Sequence, residues 1–182
     1  LKHSLIKDKN FFYWIKKNSK FIFSKNKRKL IYAIKKSCQI KLFFVNKDVK
    51  EKGLRMILNF GHTFAHAIET ESKYTNKINH GEAVLMGILI ATNFSVKKNI
   101  CSIKTLNEIL EIYKNNNLNY LLKKTNLLKI NRIYPFLKYD KKNNDKRVNL
   151  ILIKKIGKVT NPGLCKYSIE QIKKTLSNFK LS

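Results

Sequence analysis

The chain reads EKGLRMILNFGHTFAHAIE from Glu51 to Glu69, a length typical of a helix. At about 100° per residue, the polar side chains of this stretch fall inside an arc of about 80°. Apolar side chains cover most of the remaining circumference, so the predicted helix is too apolar to lie on a surface. Its polar stripe must face an enclosed space, and the residue types suit a binding cleft. The stripe consists of Glu51, Arg55, Asn59, His62, His66 and Glu69.

Lysine is distributed unevenly around this stretch. The chain has 35 lysines in 182 residues, yet residues 53–72 and 78–96 contain none. At the background rate each window would hold about four. Three of the four histidines lie in these windows: His62, His66 and His80. Burial combined with chemistry is the simplest cause of this pattern.

The net charge of +28 has two interpretations. A basic nucleic-acid-binding module, or one that binds an anionic membrane, would need such a charge. Compositional drift would produce it as well, because lysine is spread over the whole chain and only four positions are arginine. We favour drift, and therefore expect neither a nucleic-acid nor a membrane partner.

The cysteines indicate a reducing compartment. Cys38, Cys101 and Cys165 lie far apart and form no CxxC pair, so neither a zinc knuckle nor a disulfide framework is predicted.

The longest apolar run, residues 83–91, is too short to cross a bilayer. We therefore expect a cytoplasmic protein of one domain over residues 1–182. Because Leu1 is not an initiator methionine, we also expect the chain to start inside a longer protein.

The periodicity of apolar residues predicts a mainly α fold with one late β-hairpin. Asn79 followed by Glu82 indicates a capping box at the start of an apolar helix that should form the centre of the core. The hairpin should cover residues 148–160 and turn near Gly157. Helices are predicted over 2–17 with a break near Asp8, and over 26–45, 51–69, 80–94, 102–113, 117–124, 128–137 and 168–179.

The two histidines of the motif are four residues apart, so a helix would place them on one face. Such a pair suits two ligands of zinc, copper, iron or nickel, or one ligand beside an acid–base group. Two hydrogen-bonded core histidines would give the same pattern. His80, at the start of the next helix, is either a third member of the site or a surface residue. Arg55 suits a carboxylate or phosphate, and a salt bridge to Glu51 is compatible with that role.

Beyond these separate features, two runs resemble a known family, 3-dehydroquinate synthase. The family pattern E-x-G-L-R-x-x-L-N-x-G-H-T-x-G-H-A-x-E matches residues 51–69, and H-G-E-A-V-x-x-G matches residues 80–87. Weaker matches cover Lys2–Asp8, Gln39–Lys41 and the Tyr139–Lys142 loop. The resemblance implies the helical C-terminal half of that enzyme, without its Rossmann-like NAD-binding domain.

The resemblance also implies roles for individual residues. His62 and His80 match two of three ligands of a zinc or cobalt ion, and the third is a glutamate that falls before Leu1. His66 matches a histidine near the departing phosphate, where it would transfer a proton or bind the anion. Other catalytic positions are Arg55, Asn59 and Lys41, and other substrate-binding positions are Lys2, Glu51 and Lys142, the last only slightly favoured over Lys141.

The implied activity is the NAD-dependent conversion of 3-deoxy-D-arabino-heptulosonate 7-phosphate to 3-dehydroquinate and phosphate, in the shikimate pathway. We expect a phosphorylated sugar acid as the partner, a homodimer for the full-length enzyme, and no activity for this chain alone. Ala65 and Ser4 replace the usual glycines, but neither change removes a chemical group.

Three alternatives remain open. Another sugar-phosphate cyclase, making an inosose or a valiolone, would use the same scaffold, and the match at Arg55 to a carboxylate-binding position disfavours it weakly. An iron-type polyol dehydrogenase would share the architecture, but the HGEAV run argues against it. A basic nucleic-acid-binding module would bind DNA or RNA with a steep salt dependence.

Overall fold

Helices make up most of the fold in the computed structural model, which describes residues 1–72, 78–137 and 147–181. The mainly α class predicted from the sequence is confirmed. The α-helices are α1 (Lys2–Lys7), α2 (Lys9–Phe23), α3 (Lys27–Lys47), α4 (His62–Glu71), α5 (His80–Lys97), α6 (Ile103–Lys114), α7 (Asn119–Leu127) and α8 (Ile169–Leu176). Short 3-10 helices cover Leu54–Asn59, Ile130–Arg132 and Tyr134–Phe136.

Polar caps set the starts of several helices at the predicted places. Asp8 separates α1 from α2, and its carboxylate accepts a backbone N–H of the first turn of α2. Asn79 and Glu82 form a reciprocal capping box at the start of α5. Ser168 and Gln171 form another at the start of α8. Each cap satisfies N–H groups that have no partner within the helix.

Helix α5 lies at the centre of the core, as its apolar sequence predicted. Its residues from Met86 to Ser95 are all buried. Helix α4 packs against it at very short range, because a Cβ atom on Gly87 would lie only 2.1 Å from the carbonyl oxygen of Gly61. Ala65, where the resemblance has glycine, is fully buried in the same contact. The spacing of α4 and α5 therefore depends on the absence of a side chain at Gly87.

The prediction of one continuous helix over residues 51–69 is wrong. Residues Leu54–Asn59 form a 3-10 helix, and α4 begins only at His62. Gly61 interrupts the helical path between them with a φ of +81°, a conformation that glycine adopts at no steric cost. The helix predicted over 128–137 is likewise replaced by two 3-10 turns, since Pro135 cannot donate a helical hydrogen bond.

The late β region is a pair of two-stranded ribbons. Strands β2 (Ile153–Lys155) and β3 (Lys158–Val159) form the predicted hairpin, which turns at Gly157. The run before β2 does not extend this hairpin, because β1 (Val148–Asn149) pairs with β4 (Lys166–Tyr167). The N–H of Gly157 donates to the carbonyl of Leu5 at 2.9 Å, which fixes the hairpin against α1. Among the described residues, no helix is long and apolar enough to cross a membrane.

Candidate functional site

A cleft of about 280 Å³ brings together most of the residues singled out in the sequence. Helix α1 supplies one wall, α3 a second, and the segment from residue 51 to the start of α4 supplies the third. Helix α1 is far from the other two elements in sequence, so only the fold brings it to them. The cleft is lined by Lys2, His3, Lys41, Glu51, Arg55, Leu58, Asn59 and His62.

A second cleft of about 340 Å³ adjoins the first and shares Glu51, Asn59 and His62 with it. His66 lines this second cleft together with Thr63 and Phe136. The two adjoining clefts together are called the recess below. Five of the six residues of the predicted polar stripe line these clefts, although they do not lie along one helix, and Glu69 lines neither cleft.

Asp48 organises the loop that leads into the recess. Its carboxylate accepts backbone N–H groups from Lys52 at 3.0 Å, Gly53 at 2.8 Å and Arg55 at 3.0 Å. These hydrogen bonds hold the pKa of Asp48 below its usual value, and the bond from the backbone of Arg55 has the largest effect. Glu51 lies within this loop at a φ of +52°. Asp48 thus holds the turn that directs Glu51 and Arg55 toward the recess.

Glu51 connects Arg55 and Asn59. The Nε of Arg55 lies 3.5 Å from Glu51 Oε2, and the amide Nδ2 of Asn59 donates to Glu51 Oε1 at 3.0 Å. Arg55 also donates from Nη1 to the carbonyl of Val49 at 2.8 Å. The salt bridge to Glu51 and the exposure of Arg55 to the cleft therefore occur together. The pair orients the guanidinium and leaves it at the cleft wall.

Three imidazoles meet beside the recess. The ring centroids of His62 and His80 are 5.6 Å apart, and those of His62 and His66 are 5.7 Å apart. The rings of His66 and His80 are separated by 6.3 Å. His80, which comes from a different helix, lines neither cleft in the contacts described, yet its ring reaches the other two. His80 is thus an exposed residue, and its ring nevertheless lies next to those of His62 and His66.

Hydrogen bonds orient the imidazoles of His62 and His80. The Nδ1–H of His80 donates to Glu69 Oε1 at 2.8 Å, and the Nδ1–H of His62 donates to the carbonyl of Phe60 at 3.3 Å. Both rings therefore carry a lone pair, and no proton, on Nε2. The Nε2 lone pair of His62 accepts a hydrogen bond from the ammonium of Lys2 at 3.4 Å. A carboxylate or carbonyl behind Nδ1 is the usual outer partner of a metal-binding histidine.

The pair of imidazoles fits a divalent cation. Two imidazoles that bind one tetrahedral ion through nitrogen at about 2.0–2.1 Å place their ring centroids roughly 5–6 Å apart. The observed separation of His62 and His80 falls in this range. Within residues 1–72, 78–137 and 147–181, no three His, Cys, Asp or Glu side chains are placed to hold an ion together. A site at His62 and His80 therefore needs a further ligand.

Burial lowers the pKa of ionisable side chains that line the cleft. Burial first, and the charge of Lys2 second, lower the pKa of His62 to about 4. The same two causes, in the same order, lower the pKa of His3 to about 4. Burial, followed by the charge of Lys41, lowers the pKa of Lys2 to about 8. His62 is thus neutral at pH 7, the form in which an imidazole binds a metal.

The family profile described as 3-dehydroquinate synthase C-terminal matches residues 1–143. The chain belongs to the 3-dehydroquinate synthase family. The 3-dehydroquinate synthase of Pelagibacter ubique is 45% identical over 159 residues, which cover 86% of this chain and 43% of that protein. That of Dictyoglomus turgidum is 40% identical over 159 residues, 87% of this chain and 43% of that protein. The chain therefore spans less than half the length of these relatives.

Solved structures confirm the fold. The 2-epi-5-epi-valiolone synthase of Streptomyces hygroscopicus, solved with NAD+ and Zn2+ bound, matches 98% of this chain with a TM-score of 0.78 at 18% identity. The match covers 48% of that chain. A 2-deoxy-scyllo-inosose synthase, complexed with carbaglucose-6-phosphate, NAD+ and Co2+, matches 97% of this chain and 49% of its own with a TM-score of 0.69 at 19% identity.

The structure places most of the residues that the resemblance singled out at the two clefts, and the ring of His80 lies beside that of His62. Lys141 and Lys142 lie outside the described residues. Reasoning from the sequence also did not single out five residues of the recess or its loop: His3, Asp48, Leu58, Thr63 and Phe136. Asp48 carried a signal, because an aspartate before a glycine-containing loop commonly accepts backbone N–H groups. His3 and Phe136 carried none, since only the tertiary fold brings them to the recess.

Proposed function

We propose that this chain is the metal- and substrate-binding part of a 3-dehydroquinate synthase. The full-length protein would convert 3-deoxy-D-arabino-heptulosonate 7-phosphate to 3-dehydroquinate and phosphate. The observation that carries the proposal is the recess itself, where Lys2, Lys41 and Arg55 line a cleft beside three adjoining imidazoles. We also propose that the full-length protein is a cytoplasmic homodimer.

The charges of the recess suit a substrate with two anionic ends. Three cations face one carboxylate there, and that carboxylate, Glu51, is already engaged by Arg55 and Asn59. Arg55 would form paired hydrogen bonds to the substrate carboxylate, which matches a guanidinium better than an ammonium does. Lys2 and Lys41 would bind oxygens of the acid or the phosphate as point charges. Binding at both ends holds the reacting carbons in one orientation.

His62 and His80 would hold a zinc or cobalt ion with a third ligand from outside the described residues. Glu69 and the carbonyl of Phe60 would keep both imidazoles in the tautomer that binds through Nε2. When bound, the cation and NAD supply polarisation of a substrate oxygen and reversible oxidation of its alcohol. We expect NAD to be bound mainly by a separate part of the full-length protein, because this sequence has no glycine-rich phosphate loop.

We assign His66 to the phosphate end of the recess. It lines the second cleft, its ring lies beside that of His62, and its side chain is exposed. There it would donate a hydrogen bond to a phosphate oxygen, or carry a proton to or from that oxygen as the ester bond breaks. Asn59, which lines both clefts, would bind a hydroxyl of the substrate.

Replacing His66 by alanine should lower the rate and leave the metal in place. General acid–base groups typically contribute about 10²–10⁴-fold to rate, so kcat should fall by about that factor. Metal analysis of the purified full-length variant should still find the content of the wild type. Ser72→Ala, at the C-cap of the same helix, serves as the control, because the described contact of its hydroxyl is a hydrogen bond to the carbonyl of Glu69. If His66→Ala loses its metal, His66 is a ligand and the proposed roles are reversed.

The substrate can be tested directly with the full-length protein, supplied with NAD and zinc. We expect phosphate release from 3-deoxy-D-arabino-heptulosonate 7-phosphate to exceed that from glucose 6-phosphate or sedoheptulose 7-phosphate by at least about 100-fold in kcat/KM. The two competitors lack the carboxylate, so the cleft groups that bind it, Arg55 first, would be left without their partner. Preferred turnover of either competitor would support an inosose or valiolone synthase instead. The 182-residue chain alone should turn over none of them.

A further inference from the structure

Beyond the recess, one side chain from a distant helix contacts the turn that carries His80. The hydroxyl of Tyr120, at the start of α7, donates to Glu82 Oε1 at 2.7 Å. Tyr120 and Glu82 are 38 residues apart, and neither belongs to the cleft walls. The contact therefore links the first turn of α5 to a part of the chain that has no direct role in substrate binding.

Glu82 is the centre of this link. Its second oxygen, Oε2, accepts the N–H of Asn79 at 3.0 Å, while its own N–H donates to Asn79 Oδ1 at 3.0 Å. One carboxylate therefore holds the residue just before His80 with one oxygen and meets Tyr120 with the other. His80 lies inside the turn that these bonds close.

The imidazole of His80 has few other restraints. Its side chain is 60% exposed, and the hydrogen bond to Glu69 on α4 holds only the ring. The position of the ring relative to His62 therefore also depends on how firmly the first turn of α5 is held. A carboxylate that is hydrogen-bonded on both oxygens has fewer rotamers available than one bonded on a single oxygen. The bond from Tyr120 thus restricts the side chain that closes the turn.

We infer that Tyr120 is a positioning residue for His80. Its hydroxyl holds the Glu82 carboxylate in the rotamer that caps α5, and the capped turn keeps the His80 imidazole opposite that of His62. The inference rests on the proposed metal-binding role of these two histidines. It adds to that role a residue outside the family motif, on a helix that contributes nothing to the described walls of the recess.

The test compares two matched substitutions in the full-length protein. Tyr120→Phe removes only the hydroxyl, and keeps the ring beneath the ammonium of Lys124. Tyr13→Phe is the control, because Tyr13 also donates to a carboxylate, Glu108 Oε2 at 2.8 Å, with 40% exposure against 42% for Tyr120. Zinc is titrated into the metal-free proteins against a competing chelator. Outer partners of metal ligands typically contribute about 10–100-fold to affinity, so we expect about 3–10-fold weaker zinc binding for Tyr120→Phe, one bond further out, and no change for Tyr13→Phe.

The outcomes separate the inference from the proposed function. If the wild type binds zinc and Tyr120→Phe binds it as tightly as Tyr13→Phe does, the positioning role is wrong and the proposed function stands. If the wild type binds no zinc, both are wrong. Cobalt provides a second readout, since its visible spectrum reports ligand geometry. A spectrum altered in Tyr120→Phe and unaltered in Tyr13→Phe supports the inference, and identical spectra contradict it. Glu82→Ala should weaken zinc binding more than Tyr120→Phe, and an unchanged affinity in Glu82→Ala also contradicts it.

Discussion

Full-length protein carrying His62→Ala or His80→Ala should lose its bound metal. Each substitution removes one imidazole of a pair whose ring centroids are 5.6 Å apart. Altering only an outer partner of a ligand already costs about 10–100-fold in affinity, so removal of a ligand should cost more than about 100-fold. Metal analysis after dialysis should find the wild type loaded and both variants nearly empty. Synthase activity should fall with the metal content.

The other two histidines provide the controls for this experiment. His3 lines the same cleft as His62, and the ring of His66 lies 5.7 Å from that of His62. All four substitutions thus remove an imidazole from the same region of the protein. His3→Ala and His66→Ala should retain metal. Retention of full metal content by both His62→Ala and His80→Ala would contradict the assignment of the ligands.

Gly87→Ala should disrupt the packing on which the site depends. The added Cβ would lie 2.1 Å from the carbonyl oxygen of Gly61 and 2.9 Å from the backbone nitrogen of Ala65. Both neighbours are backbone atoms, so α4 and α5 must move apart. Overpacking of a core typically costs 1–3 kcal/mol, and a clash with backbone belongs at the upper end, at about 3 kcal/mol. For a protein of 150–250 residues this corresponds to a fall in Tm of roughly 6–12 °C.

Gly81→Ala is the matched control for this prediction. It adds the same methyl to the same helix, but the nearest atom, at 3.3 Å, belongs to the side chain of Asn79. Thermal unfolding should therefore show a much smaller change for Gly81→Ala than for Gly87→Ala. Metal affinity should also fall in Gly87→Ala, because His62 begins α4 directly after Gly61. Equal unfolding temperatures for the two variants would show that α4 and α5 do not need this close contact.

The assembly of the site could be predicted from the sequence better than its local geometry. Periodicity placed Arg55, Asn59, His62 and His66 on one face of a single helix, and these residues do line one recess. They reach it through a 3-10 helix, a break and a new α-helix. The break depends on Gly61, whose positive φ and close approach to Ile88 are properties of the packed helices. A helical repeat alone does not contain that information.

Long-range contacts set the limit of prediction elsewhere. The run from Val148 to Ile153 predicted one strand, but its two ends pair with different partners. The caps at Asn79 and Ser168 were predictable, because each involves residues three positions apart. Tyr120 was not, since its partner is 38 residues away and a tyrosine in a short helix has many possible roles. Caps formed by residues close in sequence can thus be predicted, whereas contacts between distant elements can be identified only from the folded structure.

The central claim is that His62 and His80 bind one divalent cation beside the cleft. A crystal structure of the full-length protein grown with zinc, with anomalous diffraction data at the zinc edge, tests it most directly. We expect one anomalous peak with an imidazole nitrogen of each residue at about 2.0–2.1 Å. A peak bound by only one of the two, or a zinc site elsewhere with these imidazoles unligated, would contradict the claim.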